Sequence, residues 1–170
     1  MKSNDYILVK TTEIRKALEF DLYNCALALS LTLPDVCGKI EYPNEHSPSV
    51  RYKKWYVTYV KPLYTNLAED LSDGTMHEVI WINENECWSL RCAYLHAGNY
   101  DIDENILQDL KLHAHKRNGE NYSHMIRNKI HLDMDVIDLC EKLCDAAEQY
   151  YNNIEDKERF STDVLRIDTW

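Results

Sequence analysis

The run TTEIRKALEFDLYNCALALSLTL (residues 11–33) places the strongest constraint on the fold. Ile14, Leu18, Leu22, Cys25 and Leu29 recur at helical spacing, and Thr11 or Thr12 can cap the start. The second half of the run is apolar on every side. A helix with no solvent face must be surrounded, so the pattern predicts one helix through the centre of a helical bundle. Pro34 breaks or restarts it, and PDVCGKI reads as one short turn ending at Gly38. Four glycines and four prolines in 170 residues leave few tight turns, which suits a single, mainly α domain.

Further helices follow from capping signals. In SPSVRYKKWYVTYVKPLY (47–64), Ser47 is the cap and Pro48 takes the first helical position, where a missing N–H costs nothing. Tyr52, Trp55, Tyr56, Tyr59 and Leu63 form one stripe, with the lysines largely off it. Residues 64–82 are ambiguous: AEDLSDGTM reads as a loop and EVIWI as a short strand. Asn83 and Glu86 have capping-box spacing and open a helix that Gly98 closes in the left-handed conformation. From 107 the period becomes two. Leu110, Leu112 and Ala114 oppose Lys111, His113 and His115, then Ile130, Leu132 and Met134 oppose His131, Asp133 and Asp135. With RNGEN between them, this predicts a small antiparallel β-hairpin over about 107–135. A last helix spans 136–152 with Val136, Leu139, Cys140, Leu143, Ala147 and Tyr150 inward. VLRIDTW is compatible with an extra C-terminal strand over 163–170. The expectation is a bundle of four to five helices with this hairpin before the last long helix.

Charge and cysteine usage narrow the function classes. The net charge of −10 opposes non-specific binding to nucleic acid. Residues 133–158 hold nine acids against two lysines, whereas 46–68 hold Arg51, Lys53, Lys54 and Lys61 with no acid, a local basic face. The longest apolar stretch, CALALSLTL, is about half of what a bilayer requires, and MKSNDYILVKTTEIRK lacks a signal-like apolar run. A cytoplasmic protein with no membrane association is expected. The six cysteines show no CxxC spacing. Cys25, Cys92, Cys140 and Cys144 fall in apolar helical patterns as small hydrophobes, and no disulfide framework is expected.

SLRCAYLHAG (89–98) carries Arg91 and His96 inside an apolar helix. Five residues of α-helix turn through about 500°, which leaves the two Cβ atoms about 140° apart and not side by side. Arginine's reach and a loosening last turn can narrow that gap, and two readings of the pair stay open. Arg91 pairs with a carboxylate from another helix while His96 caps the last turn, or two such helices meet across a two-fold axis. Arg91-Cys92-Ala93-Tyr94-Leu95-His96, followed by a small residue and glycine, resembles the R-x4-H signature of the HEPN superfamily. Together with YNCALALSLTLPDVCGKIEYP (23–43) and VIDLCEKLCDAAEQYY (136–151), it resembles a group of uncharacterised bacterial HEPN-like proteins over most of residues 20–151. The resemblance implies a helical bundle that homodimerises, with a metal-independent ribonuclease site at the dimer interface and no cofactor. His96 would then act as general acid/base on the ribose 2′-hydroxyl, and Arg91 would stabilise the phosphorane charge. It equally implies a non-catalytic dimer that binds a protein or nucleotide. Toxin and defence roles belong to the same group. Cys92 stands where active members often carry Asn, Asp or His.

Two more candidates remain. Aromatics interleaved with Arg51, Lys53 and Lys54 in VRYKKWYVTYVK (50–61) suit RNA if the rings stack bases, or a core stripe with solvated cations if they do not. His113 and His115 share one strand face, which His131 and Asp133 can join as zinc ligands. Solvent-facing histidines explain the same pattern, and no metal is expected. Cys140 and Cys144, at i and i+4, read as buried thiols.

Overall fold

The computed structural model describes residues 6–69, 72, 74–98, 102, 106–114 and 125–160. RNGEN, His115 and the expected strand over 163–170 lie outside the described residues. The chain is mainly helical with two small sheets. Six α-helices are described: α1 (Tyr6–Glu19), α2 (Tyr23–Ser30), α3 (Leu33–Glu41), α4 (Pro48–Tyr59), α5 (Glu84–Cys92) and α6 (Val136–Asn153).

The run over 11–33 is not one helix. α1 ends in a Schellman motif, in which Asp21 N–H donates to Leu18 O at 3.1 Å and Leu22 N–H donates to Ala17 O at 2.8 Å. Asp21 takes φ 58°, a left-handed conformation that aspartate tolerates better than most residues. The central position belongs instead to α6, which packs against α1, α2, α3 and α4. All six residues expected inward on it are buried. α3 also corrects the expected turn, since it runs straight through Gly38. A Cβ at that position would stand 2.8 Å from the Arg51 carbonyl oxygen, so this glycine allows α4 to approach and terminates nothing.

α4 starts as its sequence indicates, with the Ser47 side chain accepting from Val50 N–H and Pro48 in the first turn. Tyr52, Trp55 and Tyr56 are buried, Tyr59 stacks on Trp55 at 5.1 Å, and Leu63 is exposed. The ambiguous segment after it forms an antiparallel hairpin of β1 (Thr65–Glu69) and β2 (Met76–Ile80).

The second sheet contains β3 (Asp109–His113), β4 (Met125–Arg127) and β5 (His131–Asp135) in the order β3-β5-β4. The two strands read from alternation do pair, but in parallel, with Leu110 opposite Leu132 and Leu112 opposite Met134. The antiparallel neighbour of β5 is β4, joined through a tight turn whose Asn128 Oδ1 accepts from Ile130 and His131 N–H. Alternation fixes which face of a strand is buried, and the face is the same for either direction. Leu132 and Met134 lie in the core as expected, whereas Ile130 is exposed. Among the described residues, no helix is long and apolar enough to cross a membrane.

Candidate active site

α5 is anchored at its start. Asn83 Oδ1 accepts from Asn85 and Glu86 N–H, and Glu86 Oε2 accepts from Asn83 N–H, completing the capping box. Glu86 is 1 % exposed, and its carboxylate is gripped from the sheet by Arg127 through bonds of 2.6 and 3.0 Å. Arg127 also donates to Trp81 O. Fixing this end determines where the other end of α5 emerges.

That other end does not continue as an α-helix. Ala93–Ala97 is a π-helical turn, closed by Gly98 at φ 69° and ψ 23°. A π turn joins residues five apart, so Arg91 and His96 become neighbours on successive turns. Arg91 Nη1 lies 2.8 Å from His96 Nε2. A guanidinium has donors only, so Nε2 accepts and the imidazole proton resides on Nδ1. Arg91 does pair with a carboxylate from another helix, Asp35 of α3, and the loosened last turn closes the gap of about 140° to His96 that a regular helix would leave. The pair meets within one chain.

Two further groups contact Arg91. Its Nη2 donates to Asp35 Oδ2 on α3 at 3.2 Å, and its guanidinium lies 5.2 Å above the Trp88 ring. Trp88 in turn meets Tyr52 edge-on at 5.1 Å. Tyr94, inside the π turn, donates to Asn24 of α2, its hydroxyl lying 3.2 Å from the carbonyl oxygen and 3.1 Å from Oδ1. The apolar helix read over 89–98 does not run through the interior. No residue of the π turn is buried, and His96, Ala97 and Gly98 are exposed. The site is therefore a partly covered arginine bonded to an accessible histidine, held between α2 and α3. Asp35 and Asn24 were not singled out from sequence. Only their place inside the 23–43 block hinted at them.

The basic segment is arranged differently. Arg51 Nη1 donates to Glu45 O at 2.7 Å, Lys54 pairs with Glu45 at 3.6 Å, and Lys53 is half-buried. Lys53 and Lys54 line an open groove of about 400 Å³ with Tyr42, Val57, Thr58 and Glu84. Tyr52, Trp55 and Tyr56, the rings nearest these cations in sequence, belong to the core. Arg91 and His96 do not line the groove. Glu84 at its edge is seven residues before Arg91, about 10 Å along α5.

The histidines form two separate pairs. His113 Nδ1 lies 2.5 Å from Asp133 Oδ1, and His131 Nδ1 lies 2.7 Å from Asp109 Oδ2. In the parallel register His131 faces Asp109 and His113 faces Asp135, so the two imidazoles are separated by four residues, about 13 Å. Among the described residues no group of three or more His, Cys, Asp or Glu is placed to hold a metal. Cys140 and Cys144 are buried, and burial pushes the Cys140 thiol up to about 12. Cys25, read as a small hydrophobe, is exposed, and Cys92 is half-buried.

Compared with protein-family models, curated proteins and solved structures, the chain gives no match.

Proposed function

We propose that the chain is a HEPN-like, metal-independent endoribonuclease, cytoplasmic and of toxin or defence type, whose site is composed from two copies at a homodimer interface. The observation that carries this reading is the Arg91–His96 contact of 2.8 Å on an unburied turn. Cleavage by the ribose 2′-hydroxyl needs a base for its proton and a fixed cation for the charge that develops on phosphorus. His96 Nε2 carries the lone pair that takes the proton, and it becomes available when a substrate phosphate draws the Nη1 donors of Arg91 to itself. The new P–O2′ bond displaces the 5′-oxygen, leaving a 2′,3′-cyclic phosphate, and the protonated His96 returns its proton to that departing oxygen. DNA, which lacks the nucleophile, is spared. Arg51, Lys53 and Lys54 supply the basic surface for the RNA backbone, and the groove that Lys53 and Lys54 line lies about two turns of α5 from the reacting pair. The six free thiols fit a reducing compartment.

The test is incubation of the protein with structured and single-stranded RNA in EDTA. Cleavage by wild type that His96→Ala abolishes is the expected result, and equal cleavage by both proteins sinks the catalytic reading. A second reading, a non-catalytic HEPN-like dimer that binds a protein or nucleotide, is favoured by one feature. Arg91 is 16 % exposed and already engaged by Asp35 and Trp88. Under that reading Arg91→Ala lowers the melting temperature strongly and no RNA is cut.

A further inference from the structure

Arg91 and His96 meet only because the chain between them is wound as a π turn. Were the segment to relax to an α-helix, their Cβ directions would diverge by about 140° and the bond would be lost. Single π turns are uncommon and are retained where something outside them holds the geometry. Two contacts do so here. Asp35 fixes the arginine end of the segment to α3, since its Oδ2 accepts from Arg91 Nη2 and leaves Nη1 directed at His96. Tyr94, between the two, ties the middle of the turn to α2 through its bond to Asn24.

We propose that Asp35 and Tyr94 are positioning residues that clamp the π turn between α3 and α2 and so set the Arg91–His96 contact. The catalytic meaning of that contact rests on the ribonuclease reading, whereas the clamp itself does not. Each acts through the turn, and each is replaceable without opening the core, because Tyr94 and Asp35 are both half-buried.

The test uses the full chain with 15N-labelled histidine and reads the His96 ring nitrogens in wild type, Tyr94→Phe, Asp35→Ala, Asp35→Asn and Arg91→Ala. Arg91→Ala defines the signature of a His96 that has lost its donor. Tyr94→Phe and Asp35→Ala are expected to move the His96 Nε2 signal most of the way to that signature, with His46 and His77 unchanged. Asp35→Asn keeps an oxygen for Nη2 and should restore part of the wild-type shift. Measured in parallel on RNA, Tyr94→Phe should lower kcat by tenfold to on the order of a hundredfold with KM held, the cost of misplacing reacting groups by about an ångström. His96 signals that stay at wild-type positions in both Tyr94→Phe and Asp35→Ala overturn the proposal. Signals that move in a protein that cuts no RNA support the clamp and remove the ribonuclease reading alone.

Discussion

Gly38 sets two physical effects against each other. By helix propensity alone, Gly38→Ala within α3 should stabilise by about 1 kcal/mol. The new Cβ, however, would meet the Arg51 carbonyl oxygen at 2.8 Å, a backbone atom that moves only if α4 moves. Overpacking of this kind costs about 1–3 kcal/mol, so the variant should lose stability in urea unfolding, and a gain would show that α4 yields freely. The ion pair between Glu86 and Arg127 makes a larger demand. Arg127→Ala strands a carboxylate that is 1 % exposed, and a loss of about 3–5 kcal/mol is expected. Adding Glu86→Gln should recover much of that loss in a double-mutant cycle, because it removes the uncompensated charge. Only half of this pair is legible in the sequence. Glu86 announces itself through its capping-box spacing to Asn83, which is local. Arg127 lies 41 residues away in a strand of three residues, and no local pattern connects the two.

Among the elements, those with local stop and start chemistry were legible and those decided by tertiary contacts were not. Ser47-Pro48 and the single apolar stripe of α6 gave their helices directly. The α1–α2 break escapes a periodic reading because no glycine or proline marks it, and the apolar spacing continues across it. Asp21→Gly probes that break. Relief of a left-handed aspartate should add about 0.5–1 kcal/mol, less the exposed bond that Tyr23 makes to its carboxylate. That corresponds to a rise of about 2 °C in Tm, and a fall would mean that the side-chain bond dominates the corner. The π turn escapes for a related reason. Helical spacing assumes a constant rotation per residue, and the contact between Arg91 and His96 depends on one turn that breaks the assumption. In the second sheet, alternation located both β3 and β5 but gave no direction, so the parallel pairing was hidden until β4 was found beside β5.

For the molecule as a whole, composition gave the helical class and the apolar runs gave most of the core, but the hub was misassigned. The helix with an acidic outer face, α6, is central. Its Glu141, Asp145 and Glu148 turn that face into a clamp on Arg15 of α1. Hydrophobicity on every side is therefore not required of a central helix when a charged partner covers the remaining stripe. The same core makes a prediction about alkali. Cys37, Cys87, Cys140 and Cys144 are buried, and burial raises all four thiols, Cys87 and Cys140 to about 12. Burial also holds the Tyr52, Tyr56 and Tyr64 phenols well above their usual range. In the unfolded chain a thiol ionises near about 8.5 and a phenol near about 10. Above the unfolded value the native state binds more protons than the unfolded state, so stability falls as pH rises, by about 1.4 kcal/mol per unit for each displaced group. Four thiols together contribute a slope of about 5 kcal/mol per pH unit, and the total stability of a domain is about 5–15 kcal/mol. Helical circular dichroism should therefore collapse in one cooperative step between roughly pH 10 and 11, and the tyrosinate absorbance of Tyr52, Tyr56 and Tyr64 should appear only with that step. Cys87→Ala should make the dependence of stability on pH shallower by about 1.4 kcal/mol per unit, whatever its packing cost at neutral pH. Ionisation of all twelve phenols with the helices intact would contradict the buried tyrosines on which this core is built.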